Sequence, residues 1–145
     1  MPSRASSATR FGCQVPELKR FLGSVVPAIL YAGLIFFLST RTNLPGLPGA
    51  GSDKLAHLSE YGVFGILVVR AFYAYQFPPR RALTLGILTC ALYGASDEVH
   101  QLFTPGRSSE VWDFVADALG STAGGLLWYA VVSRLWGFPE RPKPC

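Results

Sequence analysis

Phe21-Leu-Gly-Ser-Val-Val-Pro-Ala-Ile-Leu-Tyr-Ala-Gly-Leu-Ile-Phe-Phe-Leu38 runs for 18 residues without a charged side chain. At about 1.5 Å of rise per residue, such a helix is ~27 Å long, close to the hydrocarbon thickness of a bilayer. Three more apolar segments follow it. One runs from about Leu55 to Tyr75 and is interrupted by His57, Glu60 and Arg70. The next spans about Ala82 to Phe103, with Asp97, Glu98 and His100 near its end. The last covers about Val111 to Trp136, with Asp113 and Asp117 near its start. Turn chemistry separates them: the Pro- and Gly-rich stretch from Asn43 to Gly51, Phe77-Pro-Pro-Arg-Arg81, and Thr104-Pro-Gly-Arg107. Ser108 or Ser109 is placed to cap the last helix. These features predict an all-α integral membrane bundle of about four transmembrane helices over residues 21–137. A basic tail, 1–20, precedes it and a short proline-rich tail, 138–145, follows.

Composition agrees. The chain's 145 residues suffice for one compact domain. Half are hydrophobic and only 15% are charged, where soluble domains carry about a quarter. Lipid is the solvent that such a balance suits. The net charge of +4 does not point to nucleic acid, because no stretch interleaves basic and aromatic residues on a polar surface. Cys13, Cys90 and Cys145 are too far apart in sequence for a metal knuckle, and Cys90 reads as a small core residue.

Lys and Arg set the orientation. With the N-terminus in the cytoplasm, the inner side holds Arg4, Arg10, Lys19, Arg20, Arg80, Arg81, Arg134, Arg141 and Lys143. Arg70 snorkels the same way. Only Arg41, Lys54 and Arg107 face outward. Both termini are therefore expected to be cytoplasmic. The acids are distributed in the opposite sense: Asp53, Glu60, Asp97, Glu98, Glu110, Asp113 and Asp117 all fall in the outer half.

Helical periodicity gathers these groups into stripes. Asp53, Lys54, His57, Glu60 and Tyr61 share one face of the second helix. Asp113 and Asp117 sit one turn apart above Gly120 and Gly124 on the fourth, and those glycines suit close helix packing. On the third, Gly86, Cys90, Tyr93, Gly94, Asp97 and Gln101 align, with Glu98 to one side. Ionisable groups below a membrane surface are costly and normally face a cavity or each other. An apolar enclosure does not hold a bare excess of carboxylates. Protonation, a divalent metal, an amine-bearing ligand and water each remain open as the compensation. His57 with Glu60, and Asp113 with Asp117, carry the donor types for a metal and equally fit acid and base partners. Several members also have plainer uses: Asp53 and Lys54 as cap and anchor, Glu110 as a first-turn charge, Arg107 as a local counter-ion, and His57 as a packed, hydrogen-bonded residue.

The motifs resemble those of VanZ-like membrane proteins. Ser52-Asp-Lys-Leu-Ala-His-Leu-Ser-Glu-Tyr61 is similar to that family's first motif, D-K-x-x-H-x-x-x-Y. Asp97-Glu-Val-His-Gln-Leu-Phe-Thr-Pro-Gly-Arg107 is similar to its second, with the acidic pair, glutamine, phenylalanine and arginine in place. Val111-Trp-Asp-Phe-Val-Ala-Asp-Ala-Leu-Gly120 is similar to its third, although Ala118-Leu119 stands where the family usually has a small residue or asparagine. The likeness covers about Ile29 to Trp128. The family takes its name from a protein that raises resistance to the glycopeptide teicoplanin.

The resemblance implies a protein of the bacterial cytoplasmic (inner) membrane with its polar cluster facing outside. It would be surrounded by membrane lipid and bind, or also modify, a lipid-linked or glycopeptide-type ligand. His57, Glu60, Glu98, Asp113 and Asp117 are the candidate catalytic residues. Lys54, Gln101 and Arg107 are the candidate ligand-binding residues, the two cations suiting a phosphate or carboxylate. Two other readings stand beside this one: a non-catalytic structural or binding network, and a small proton-coupled transporter. Against the last, the acids gather at one end of the bundle.

Overall fold

A computed structural model describes residues 17–41, 52–106 and 109–136, which form helices joined by turns, with no strand among them. The four helices are α1 (Val26–Ser39), α2 (Ser52–Ala74), α3 (Pro79–Gln101) and α4 (Val111–Val131). The first continuous helix starts earlier than the apolar run, at Glu17, and reaches Ser39. Within it, Phe21–Val25 forms a wider π-helical turn in which the Val26 N–H reaches back to the Phe21 carbonyl. The cause is Pro27, which has no N–H to donate and crowds the preceding turn. A second π-helical turn, Val132–Trp136, extends α4. The loop expected from Asn43 to Gly51, and most of both expected tails, lie outside the described residues.

The connections follow from turn chemistry. Between α2 and α3, Gln76 takes a positive φ of 70°. Pro78 then sits in extended backbone before Pro79 at the first helical position, where a missing N–H costs nothing. After α3, Gly106 turns the chain at φ 80°, a conformation that favours glycine. The serine cap expected for α4 is not made. Glu110 occupies the cap position without a side-chain capping bond, and Ser109 turns to Glu98 instead.

Chain direction makes α2 and α4 parallel, with α3 antiparallel to both. The α2–α4 contact is backbone on backbone. A Cβ at Gly124 would strike the Gly62 carbonyl, one at Gly120 the Leu58 carbonyl, and one at Gly65 the Ser121 carbonyl. Only Gly permits helices to approach this closely. On the other side of α2, α1 packs through Ala28 and Ile35 against Tyr61, Phe64, Val68 and Cys90. The Tyr93 hydroxyl donates to the Ala32 carbonyl at 2.7 Å and ties α1 to α3.

The distribution of polarity is inverted relative to a soluble domain. His57, Asp97, Glu98, Gln101, Asp113, Asp117 and Ser121 are buried, while Leu30, Leu34, Phe37, Leu88, Leu92, Leu119 and Leu127 are exposed. A soluble fold cannot present that much apolar surface to water without a partner. A bilayer accepts it, and drives the ionisable groups to the inside. Three helices are long and apolar enough to cross a membrane: Glu17–Ser39, Asp53–Ala74 and Val111–Arg134. At 23 residues α3 is about 35 Å long, enough to cross as well. It is more polar, because Thr84, Thr89, Ser96, Asp97 and Glu98 interrupt its apolar stretch. Among the described residues there are thus four helices, of which three meet the apolar requirement for spanning.

Candidate functional site

The polar groups collect where α2 and α4 begin and α3 ends, in two layers. The outer layer is built on Lys54, in the first turn of α2. Its Nζ lies 3.0 Å from Asp53 Oδ2, 2.8 Å from Glu110 Oε2 and 2.9 Å from Asp113 Oδ1. An ammonium has three N–H donors, and here each meets a carboxylate. Asp113 is buried, whereas Asp53 and Glu110 are exposed. This ion cluster clamps the first turn of α2 to that of α4.

One turn deeper lies the second layer, and its residues come from three helices. His57 Nδ1 stands 2.9 Å from Asp117 Oδ1, joining α2 to α4. Asp117 has no solvent exposure. From α3, Asp97 and Glu98 are buried alongside. Gln101 Nε2 donates to Asp97 Oδ2 at 3.2 Å. Glu98 Oε2 accepts from the Ser109 hydroxyl at 2.7 Å and from the Glu110 N–H at 3.0 Å, so it also anchors the start of α4. Parallel α2 and α4 explain the layering: three residues on from Lys54 and four on from Asp113 each rise about one turn, so Lys54 meets Asp113 while His57 meets Asp117.

The second layer is incompletely satisfied. Asp97 Oδ1, Glu98 Oε1, Asp117 Oδ2 and the Tyr61 hydroxyl are all buried without a hydrogen-bond partner. Each such group carries a desolvation cost of roughly 1–3 kcal/mol. Four in one compartment call for a compensating species, since native proteins leave few buried polar groups unpaired. The floor is aromatic. Tyr61 is fully buried and packs on Phe64 and Tyr93 at centroid distances of 6.0 and 6.5 Å. Gly94 leaves room there, since a Cβ on it would stand 3.1 Å from Asp117 Oδ2.

Of the residues singled out by sequence, His57, Glu98 and Asp117 come together in one compartment, and Lys54 and Asp113 lie in the layer above it. Gln101 is buried and committed to Asp97. Glu60 is half-buried, within electrostatic reach of both His57 and Tyr31. The structure pairs His57 with Asp117 rather than with Glu60. Arg107 lies outside the described residues. Asp97 and Tyr61 stood in the helical stripes and in the family-like motifs but outside the candidate site; the structure adds both to the buried layer. Their signal was their spacing, Tyr61 one turn after His57 and Asp97 one turn before Gln101.

Comparison with known proteins fits these motifs. The family described as VanZ/LLP1 matches residues 25–133, which contain every residue of both layers. An uncharacterized protein of Schizosaccharomyces pombe is 33% identical over 84 residues, which cover 57% of this chain and 50% of the relative. The chain therefore spans about half the length of the curated relative it matches. No solved structure matches the chain.

Proposed function

The chain belongs to the VanZ/LLP1 family, and from that footing we propose that it acts in the bacterial cell envelope. In this reading it crosses the cytoplasmic membrane four times, with both termini inside and the polar layers at the outer face. There it binds, or also modifies, a lipid-linked or glycopeptide-type ligand and so changes susceptibility to teicoplanin. The observation that carries the proposal is the buried layer of His57, Glu98 and Asp117, in which Glu98 Oε1 and Asp117 Oδ2 have no hydrogen-bond partner. A network serving architecture alone would close its own hydrogen bonds. A site that receives a ligand keeps donors and acceptors in reserve.

The chemistry available is proton transfer and charge stabilisation. His57 and Asp117 form a buried imidazole–carboxylate pair, and Glu98 supplies a second carboxyl group beside it. Lys54, in the layer above, offers a cation to a phosphate or carboxylate that displaces one of its three partners. For that outer layer a plainer reading also has support: one ammonium satisfied by three carboxylates is a sufficient helix clamp in itself.

The test is complementation. Deletion cells expressing wild type, Glu98→Gln or Asp117→Asn are compared for teicoplanin susceptibility at matched membrane abundance. Both variants are expected to lose protection. Full tolerance from both would sink the proposal.

A further inference from the structure

His57, Glu98 and Asp117 project from α2, α3 and α4, and one nitrogen or oxygen donor from each lies within 4.8 Å of the others. All three residues are buried. The donors are not merely acidic groups near one another. Asp117, with no exposure, leaves Oδ2 without a partner, and Glu98, 8% exposed, leaves Oε1 likewise. Asp97 adds a third unpartnered carboxylate oxygen behind them. With His57 neutral, the three carboxylates sum to a formal −3 in an enclosure walled by Tyr61 and Gly94. Like charges so placed repel strongly at low dielectric, and one imidazolium proton does not balance them.

We propose that His57, Glu98 and Asp117 bind one divalent cation of the zinc class. The proposal rests on the reading of this buried layer as the functional centre, and names what completes it. Three observations fit. First, donors on a tetrahedral zinc at about 2.0–2.2 Å stand roughly 3.4 Å apart; His57 Nδ1 and Asp117 Oδ1, hydrogen-bonded at 2.9 Å, need to part by only about half an ångström when the ion replaces the proton between them, and a Glu98 donor lies within 4.8 Å of one on each residue. Second, ligating carboxylates are themselves held by outer hydrogen bonds. Glu98 has this support: Ser109 and Glu110 fix Oε2 and leave Oε1 buried and unpartnered. Third, one imidazole with carboxylates suits zinc or manganese better than calcium or magnesium, which take oxygen donors alone. Three protein ligands leave a coordination position for water or a ligand oxygen, as in catalytic rather than structural sites.

The experiment uses the full chain, purified in detergent through a tag without histidine, with Cys13 and Cys145 replaced by serine so that they cannot bind zinc. After dialysis against a chelator, Zn2+ alone is titrated by calorimetry, Mn2+ in a second run, and bound metal is counted by elemental analysis. The expected result is one ion per chain and a raised thermal midpoint. His57→Gln, Glu98→Gln and Asp117→Asn should each weaken binding by about 100-fold or more, since even outer-shell changes cost 10–100-fold. Asp53→Asn, in the Lys54 cluster, should leave it unchanged. Circular dichroism establishes that each variant retains its helices, and three independent ligand variants guard against one failing to fold. No binding of either ion, or equal binding by wild type and all three variants, overturns the metal site. The two proposals separate cleanly. Lost teicoplanin protection without metal binding would refute the metal alone, and metal binding with protection intact in the variants would refute the functional reading alone.

Discussion

Replacing Gly124 by alanine tests the α2–α4 contact on which both polar layers are carried. The added methyl would overlap the Gly62 carbonyl oxygen and stand 2.8 Å from its carbon and 3.1 Å from the Gly62 Cα, where ordinary contact begins at 3.4 Å. The obstacle is backbone, so no rotamer change relieves it, and the helices must part. Overpacking of this kind costs about 1–3 kcal/mol, a factor of roughly 5 to 150 in the folded-to-unfolded ratio. Gly33→Ala is the matched control, because a Cβ there meets nothing within 4 Å. Both substitutions gain the same helix propensity, up to about 1 kcal/mol. The difference between them therefore isolates the contact. Reversible unfolding in mixed micelles, followed by circular dichroism, should place Gly124→Ala about 1–3 kcal/mol below Gly33→Ala. Since Asp117 lies seven residues from Gly124, about 10 Å along α4, the same variant should also weaken teicoplanin protection. Equal stability of the two alanine variants would refute the close approach.

Other parts of the structure give predictions of their own. Lys54→Met strands Asp113 without its cation and should lower the thermal midpoint in detergent, while Lys54→Arg should retain most of it. That loss should shrink at high salt, because the Lys54 side chain is 33% exposed and screening reaches it; a Lys54→Met midpoint equal to wild type at low salt would contradict the clamp. Tyr93→Phe removes the bond to the Ala32 carbonyl and should cost about 0.5–1.5 kcal/mol in the same unfolding assay. No change would mean that α1 is held by apolar packing alone. For topology, Pro105→Cys and Gln76→Cys are made with Cys13 and Cys145 replaced by serine. An impermeant thiol reagent should label position 105 in intact cells and position 76 only after lysis. The reverse pattern would invert the proposed orientation.

Much of this architecture is legible in the sequence, because its signals are local. Charge-free runs and Pro/Gly breaks set the helices, and a 3.6-residue period puts Gly94, Asp97 and Gln101 on one buried face. The pairings were harder to read, since they depend on how helices sit beside one another. Asp113 and Asp117 share a stripe and read as partners, yet parallel packing hands one to Lys54 and the other to His57. Glu60 shares the arc of His57, but the buried face of α2 is centred on His57, Tyr61 and Phe64, leaving Glu60 at its edge. Glu98 looked displaced from the α3 stripe; its bonds to Ser109 and Glu110 come from a connection whose path no periodicity reveals. Polarity misleads in a related way at α3. Residues that dilute its apolar character, Asp97 and Glu98, are turned inward and do not meet lipid.

The most direct test of the central claim is a functional double-mutant cycle on His57→Gln and Asp117→Asn, read as teicoplanin protection at matched membrane abundance. Groups that act as one unit fail together, so removing the second adds little once the first is gone. The account predicts that each single variant loses protection and that the double variant is no worse than either. Small, additive losses that track falling abundance would instead mark the pair as architecture, and contradict a working centre at the heart of the bundle.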